Sequence, residues 1–419
     1  MTNGGVPCMR SDPHTDRPTL VLLANGRSSR VRHWQQAACR FPELSVRVVE
    51  WRDWLGGGDE LPLALRTARW LRVESPGEDW GLERLLLERG ARARAAEGGV
   101  PLEAVDLDRL TGQRGAIVSP RQWYLGLCQA LQEIDGLLGE FPHVQSLTPG
   151  DEVVRLFDKG LCQPRFCEAG LPVPGFHLGI GGYDELRSVL PGKSGRWMLK
   201  LRHGFSALGA VALHWEPGRV RALTTTEIET TPTGDRLLLS KRLQALTDER
   251  QIARLIDRLA PEGWIVESWL PKRLFHGVPF DLRCVVIDGT ARHLLGRGAA
   301  SPFTNLNLDG RRIPADDLRR LLHDEVDLVL DHAVRAAACF PGMLSVGVDV
   351  LIRPDGRLAI LEANAFGDYL PDLRDRGETP HEAYLSVLAR RCRDALDLGA
   401  GDRDATRDDR IRPRAEVVG

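Results

Sequence analysis

The segment 343–366, MLSVGVDVLIRPDGRLAILEANAF, leaves this chain little conformational choice. Two apolar runs flank Pro354-Asp355-Gly356. Proline presets φ, aspartate closes a local turn and glycine accepts a left-handed backbone, so the runs read as an antiparallel hairpin. Asp349 lies in the first run, and Glu362 and Asn364 in the second. A turn at 354–356 puts Asp349 roughly opposite Glu362, and alternation puts Glu362 and Asn364 on one face. Two carboxylates and an amide are hard oxygen donors suited to Mg²⁺ when phosphates complete the shell. The plainer alternative is a hairpin with solvated polar residues. The apolar run 358–361 favours burial instead, and a buried glutamate needs a partner.

Lysine is scarce: of 56 basic residues only Lys159, Lys193, Lys200, Lys241 and Lys272 are not arginine. A lysine kept in such a background marks a place for a compact ammonium. Lys159 follows Asp158, and Lys200 precedes the small-residue stretch HGFSALGA at 203–210. A Gly/Ser/Ala loop lets backbone N–H groups approach phosphates, with a lysine at its base as point charge. For either lysine alone, a solvated surface charge is the commoner reading.

The 419 residues suffice for two to four domains. An apolar strand at 19–27, a helix at 29–42 and a strand at 45–51 predict a small doubly wound α/β domain, without a GxGxxG fingerprint. Ser75 and Glu78 predict the capped start of a helix reaching Gly90. Helices are expected at 119–139, 150–169 and 315–338, and Gly170-Leu-Pro-Val-Pro174 breaks the second. From about 175 the pattern changes to strands and turns, with a surface loop at 224–235 and a hairpin turned at Asp288-Gly289. The ends, 1–18 and 399–419, are polar and charged and predict disorder. A net charge of −2 argues against a nucleic-acid-coating protein, and no apolar run is long enough for a membrane helix. There is no apolar signal segment at the start, and the eight cysteines show no CxxC. They read as reduced, mostly buried thiols of a cytoplasmic protein.

In order over about 150–370, these motifs resemble the ATP-grasp superfamily, and within it the carboxylate–amine ligases of the RimK and glutathione-synthetase type. The resemblance implies an α/β fold with an N-terminal Rossmann-like substrate domain at 19–148. A two-subdomain ATP-grasp part follows, central at 149–262 with a longer insertion and C-terminal at 263–398. It implies ATP held by Lys159 and Lys200, and the loop 203–210, with Ser206 and Gly209, lying over the triphosphate. Glu267, Trp269 and Leu270 would form the adenine hinge. Asp281, in Asp-Leu-Arg283, would take the ribose, and Asn305 the phosphate or metal side. Arg297, backed by Arg283, would stabilise the acyl phosphate. Asp349, Glu362 and Asn364 would hold Mg²⁺, with Mn²⁺ as an alternative. The implied activity is ATP-dependent ligation of a carboxylate to an amine or thiol, releasing ADP and phosphate. A phosphotransferase and a non-catalytic nucleotide-binding module are the alternatives. Implied partners are small-molecule carboxylates and amines, or a peptide or protein terminus, with neither nucleic acid nor membrane; a homodimer is the default. The usual Asn-x-x-Pro-Gly is here Asn364-Ala-Phe-Gly-Asp368, a departure on the substrate side.

Weaker signals stand apart. Arg72 and Glu74 could read substrate groups by the same resemblance, but a solvated arginine in a capping segment is the simpler reading. Arg121-Gln122-Trp123-Tyr124 reads as helix core, His276, His293 and His332 as structural, and Arg311, Arg312, Arg319 and Arg320 as solvated charges.

Overall fold

The apolar run near the N-terminus forms β1 (Thr19–Ala24), buried from Leu20 onward. Burial on both faces is the mark of a parallel strand covered by helices. It pairs in parallel with β2 (Ser45–Glu50) and β3 (Ala68–Val73), and β4 (Gln145–Ser146) extends the sheet in the order β2-β1-β3-β4. The helix Ser29–Ala38 connects the first two strands, with Ser28 accepting a hydrogen bond from Val31 N–H at its start. The computed structural model describes residues 17–405, apart from 78, 111–114, 191–193, 232–233, 307, 309, 368 and 371–372.

A second sheet is antiparallel. It contains β5 (Phe176–Leu178), β6 (Gly195–Leu201), β7 (Val211–Glu216), β8 (Arg219–Thr231), β9 (Gly234–Leu246) and β10 (Trp264–Ser268), in the order β5-β10-β6-β7-β8-β9. The third sheet is also antiparallel. It holds β11 (Leu274–Phe275), β12 (Val278–Ile287), β13 (Thr290–Gly298), β14 (Arg311–Ile313), β15 (Ser345–Ile352) and β16 (Leu358–Asn364). Its order is β14-β13-β12-β15-β16, with β11 alongside β12. The hairpins turned at Asp288-Gly289 and 354–356 are both present.

The cores divide unevenly. One apolar cluster runs from Val21 and Leu23 through Leu86 and Leu127 to Leu282, Val348 and Ile360, so the first and third sheets share it. The helix Pro380–Ala405 seals a second cluster across the same two sheets, with Tyr384 and Leu388 against Leu20, Leu22, Val285 and Ile287. The second sheet has its own core, Leu199, Val211, Ile252, Leu255 and Trp264. No helix among the described residues is long and apolar enough to cross a membrane.

Several expectations need correction. Residues 224–231 and 234–235 belong to the long paired strands β8 and β9 rather than to a surface loop, and 232–233 lie outside the described residues. The threonines that look loop-like are β-branched and suit a strand. The expected helix 150–169 is two, Gly150–Phe157 and Lys159–Glu168, broken at Asp158. The helix 315–338 likewise breaks at His323, whose φ of 46° leaves the helical region, with no Gly or Pro to announce it. Asp79, not Ser75, caps the helix Trp80–Ala96, which continues past Gly90; Glu78 lies outside the described residues. The C-terminal helix carries through 399–405, and both 1–16 and 406–419 lie outside the description. Of the seven cysteines described, all free, Cys162, Cys284 and Cys392 are buried, but Cys39 and Cys167 are exposed.

Gly90 sits where the helices Trp80–Ala96 and Pro120–Leu138 cross backbone to backbone. A Cβ on Gly90 would overlap the Gln122 carbonyl oxygen, and one on Gly126 the Leu86 carbonyl oxygen. Gly136, on the same helix as Gly126, faces open space. Gly126→Ala should therefore destabilise the protein by roughly 1–3 kcal/mol despite the better helix former. Gly136→Ala should stabilise it by up to about 1 kcal/mol. Urea unfolding of the two variants checks the contrast, and a matching sign for both would remove the close-crossing account.

Candidate active site

Lys200 lies at the end of β6, diagonal to Glu267 on β10, because Lys200 pairs with Ile265 and both carry their side chains to one face. The ammonium is 2.7 Å from Glu267 Oε2. Burial works against its charge, but Glu267, and then Glu362 and Asp349, outweigh that and hold its pKa above the ordinary lysine value. Glu267 belongs to the second sheet, whereas Glu362 and Asp349 belong to the third. Lys159 closes the gap from the first turn of its helix. Its Nζ donates to the Gly204 carbonyl at 2.7 Å and stands 3.9 Å from Glu362 Oε2. Both expected lysines thus meet the expected acidic residues in one cleft. The second oxygen of Glu267 is buried and has no hydrogen-bond partner.

The loop 203–210 roofs this cleft in an unusual conformation. Ser206, Ala207 and Gly209 have φ of 52°, 61° and 66°. A left-handed conformation costs a non-glycine residue roughly 1–2 kcal/mol. Hydroxyl donors hold the loop there, Thr225 to the Ala207 carbonyl at 2.6 Å and Thr224 to the Ala210 carbonyl at 2.9 Å. Gly209 is required twice over, for its φ and because a Cβ would press into Leu201 Cδ1. At the loop base Asp158 accepts from Arg202 Nε at 2.8 Å and Nη2 at 2.6 Å, and lies 3.1 Å from His203 Nε2. It also caps the following helix through Gly160 N–H. Burial favours the neutral acid, but His203 and Arg202 hold the Asp158 carboxyl well below its usual range. His203 stacks on Tyr124 at 4.0 Å, with Arg121 Nη1 2.9 Å from its ring.

The third sheet presents a row of charges on one face. Asp281 lies opposite Arg297, Arg283 opposite Asp349, and Asp349 opposite Glu362. Arg283 grips Asp349 through Nε and through Nη2 at 3.1 Å, and Arg297 reaches the same carboxylate at 2.8 Å. Arg297 Nε donates to Asp281 Oδ1 at 2.9 Å. Burial would raise the Asp349 pKa, but Arg283 and Arg297 keep it low. Lys272 completes the group, 3.1 Å from Asp281 Oδ2 and 2.7 Å from Thr304 Oγ1, and Thr304 donates to Asp281 as well. Asp281 is buried and filled by these contacts, so its surroundings fit the holding of Arg297 and Lys272 rather than a ribose.

Other expected residues are more peripheral. Trp269 N–H is bonded to the Arg196 carbonyl at 3.0 Å, and Leu270 follows it half-buried at the cleft edge. The Asn305 carbonyl closes a turn with Leu308 and Gly310 N–H. Asn364 Nδ2 lies 3.4 Å from the Gly347 carbonyl, beside Glu362 on the same strand. Among the described residues no group of three His, Cys, Asp or Glu side chains could hold a metal by itself; the expected set includes an amide.

Solved structures share this fold. D-alanyl-alanine synthetase A from Vibrio cholerae superposes with a TM-score of 0.51 at 13% identity, over 90% of this chain and 98% of that one. The macrocyclase MdnC from Microcystis aeruginosa, bound with precursor peptide MdnA, gives 0.51 at 12% identity, over 89% and 99%. The D-cycloserine synthetase DcsG gives 0.50 at 14% identity, over 89% and 99%. The fold is that of the ATP-grasp ligases. No protein-family model matches the sequence, and no curated protein matches it either.

Three basic residues were misread or passed over in the sequence. Lys272 shared the scarcity that singles out Lys159 and Lys200, and only its position outside a glycine-rich context hid it. Arg72 is wholly buried, not solvated. Its Nε bonds Glu74 Oε1 at 2.5 Å, Nη1 donates to Ser345 Oγ at 3.1 Å and Nη2 to the Phe366 carbonyl at 3.3 Å. The rings of Tyr384, Trp34 and Tyr369 surround the guanidinium at 4.7, 5.2 and 5.3 Å. The C-terminal helix brings Tyr384 over the end of β3, which no local pattern could announce. Arg319 is likewise engaged, donating to both oxygens of buried Asp375 at 2.8 and 2.7 Å.

Burial, partly offset by Asp158, pushes the His203 pKa down to about 4 from an ordinary 6.5. Between those values the unfolded chain binds a proton that the folded chain refuses, so stability falls as pH drops through that window. The full loss is up to about 3 kcal/mol. Asp158, depressed when folded, adds its own loss at lower pH, below its unfolded value. His203→Gln should reduce the dependence of stability on pH between 6.5 and 4 by about one proton. Urea midpoints across that range measure it, and an unchanged slope would overturn the assignment.

Proposed function

We propose that this protein is an ATP-dependent ligase that joins a carboxylate to an amine, or to a thiol, through an acyl phosphate. The observation that carries the reading is the apposition of Lys200 and Lys159 with Glu362 and Asp349 between two sheets. Two ammonium groups facing hard oxygen donors form a holder for a triphosphate and its counter-ion.

Each residue then has a task. Glu267 offers its unpartnered oxygen to the exocyclic amine of adenine, at the hinge completed by Trp269 and Leu270. Lys159 and Lys200 take the phosphates, and the loop 203–210, with Ser206 and Gly209, covers them. Mg²⁺, for which Mn²⁺ can stand in, fits the all-oxygen set of Glu362, Asn364 and a share of Asp349. It supplies charge neutralisation for the transferring phosphoryl group. The substrate carboxylate attacks the γ-phosphorus, and the bond to the ADP oxygen breaks. Arg297, aimed by Asp281 and Asp349 and backed by Arg283, balances charge on the acyl phosphate and then on the tetrahedral adduct. The amine forms the new C–N bond, gives up a proton, and phosphate leaves. The carboxylate and amine belong to small molecules or to the end of a peptide; the likeness to MdnC, which is bound with a precursor peptide, supports a peptide substrate.

Phosphate release from Mg-ATP, screened over amino acids and short peptides with mass spectrometry of the products, tests the reading. An amide product, together with a loss of about 10²-fold or more in Lys200→Gln and Glu362→Ala, is the expected result. A stable phosphorylated product without amide would identify a phosphotransferase instead.

A further inference from the structure

Glu362 faces the cleft because of an irregularity in its strand. From the turn, Ile352 pairs with Leu358, Leu351 with Ala359 and Val350 with Ile360. The next pair in an unbroken ladder would be Asp349 with Leu361. The register instead shifts, and Asp349 pairs with Glu362. Leu361 is thus the extra residue of a bulge, and without it Glu362 would turn to the opposite face.

The helix Lys159–Glu168 and the segment after it hold that bulge along the free edge of β16. Gln163 Nε2 donates to the Leu361 carbonyl at 2.7 Å. The Ile360 N–H donates to the Pro172 carbonyl at 2.7 Å. Lys159, one helical turn before Gln163, lies 3.9 Å from Glu362. A carbonyl can only accept, so the nitrogen of the Gln163 amide must face Leu361. Its oxygen is then left buried without a partner. An apolar side chain would avoid that stranded acceptor, so the Leu361 bond is what the amide contributes at this position.

We propose that Gln163 is a positioning residue for the divalent cation: it pins the Leu361 bulge and thereby aims Glu362 into the cleft. The inference rests on the metal reading given under the proposed function. Partners that orient a metal ligand typically govern metal affinity by about 10–100-fold.

The test is Mn²⁺ binding to the full-length protein with ADP, followed by electron paramagnetic resonance. ADP binding without metal and thermal unfolding are measured in parallel. Gln163→Met should weaken Mn²⁺ binding about 10–100-fold. Metal-free ADP affinity should stay level, and the melting temperature should hold or rise as the stranded acceptor disappears. Gln163→Asn, one methylene too short to reach Leu361, should lose Mn²⁺ in the same way and serves if the Met variant does not fold. Undiminished Mn²⁺ binding in the Gln163 variants, with loss in Glu362→Gln, overturns the positioning role and leaves the metal site standing. Undiminished binding in Glu362→Gln, or none in the parent protein, overturns the metal reading itself. A joint fall in melting temperature, ADP affinity and Mn²⁺ affinity would reduce Gln163 to a structural residue.

Discussion

The arrangement depends on opposite charges being held close together, along the third sheet and at the end of the second. Buried carboxylates at 281 and 349 are tolerable only because Lys272, Arg283 and Arg297 surround them. Lys200 stays charged in its partly buried place because Glu267 pairs with it and the acids of the opposite sheet reinforce the pairing. Breaking a buried pair by removing one partner is far costlier than the pair's net worth. The same property that makes the cleft chemically useful therefore makes its residues mutually dependent.

Packing explains why such a cleft can exist. The second sheet carries its own core, so Lys200 and the loop after it stand on a separate support, while Lys159 comes from a helix packed in the other core. The first and third sheets share two apolar clusters. Arg72 ties these two sheets together at the site. From the end of β3 it reaches Ser345 at the start of β15 and the carbonyl of Phe366, two residues past Asn364. The turn after Asn364 is thereby held from outside by a caged guanidinium.

Much of the site was legible from local pattern. The Pro-Asp-Gly turn announces the β15–β16 hairpin, and alternation places Asp281 with Arg283 and Glu362 with Asn364. Scarce lysine marks Lys159 and Lys200. Element boundaries were less legible where tertiary contacts set them. Asp158 ends one helix because its side chain is committed to Arg202 and the next helix start. Residues 224–231 are strand because β9 pairs along them, with β7 reaching only as far as Thr224.

Residue order by itself determined which groups can reach the cleft: the hairpins, the glycine-rich loop and the spacing of acids and bases along each strand. Only the tertiary structure decided what those groups do when they arrive. It shifted the register of β16 by one residue at Leu361, placed Asp349 between two arginines, and closed Tyr384 over Arg72. The reason is one of range. Alternation and turn chemistry act over a few residues, whereas the bonds that set these orientations come from segments about 200 or more residues away in several cases, as with Gln163 and Leu361.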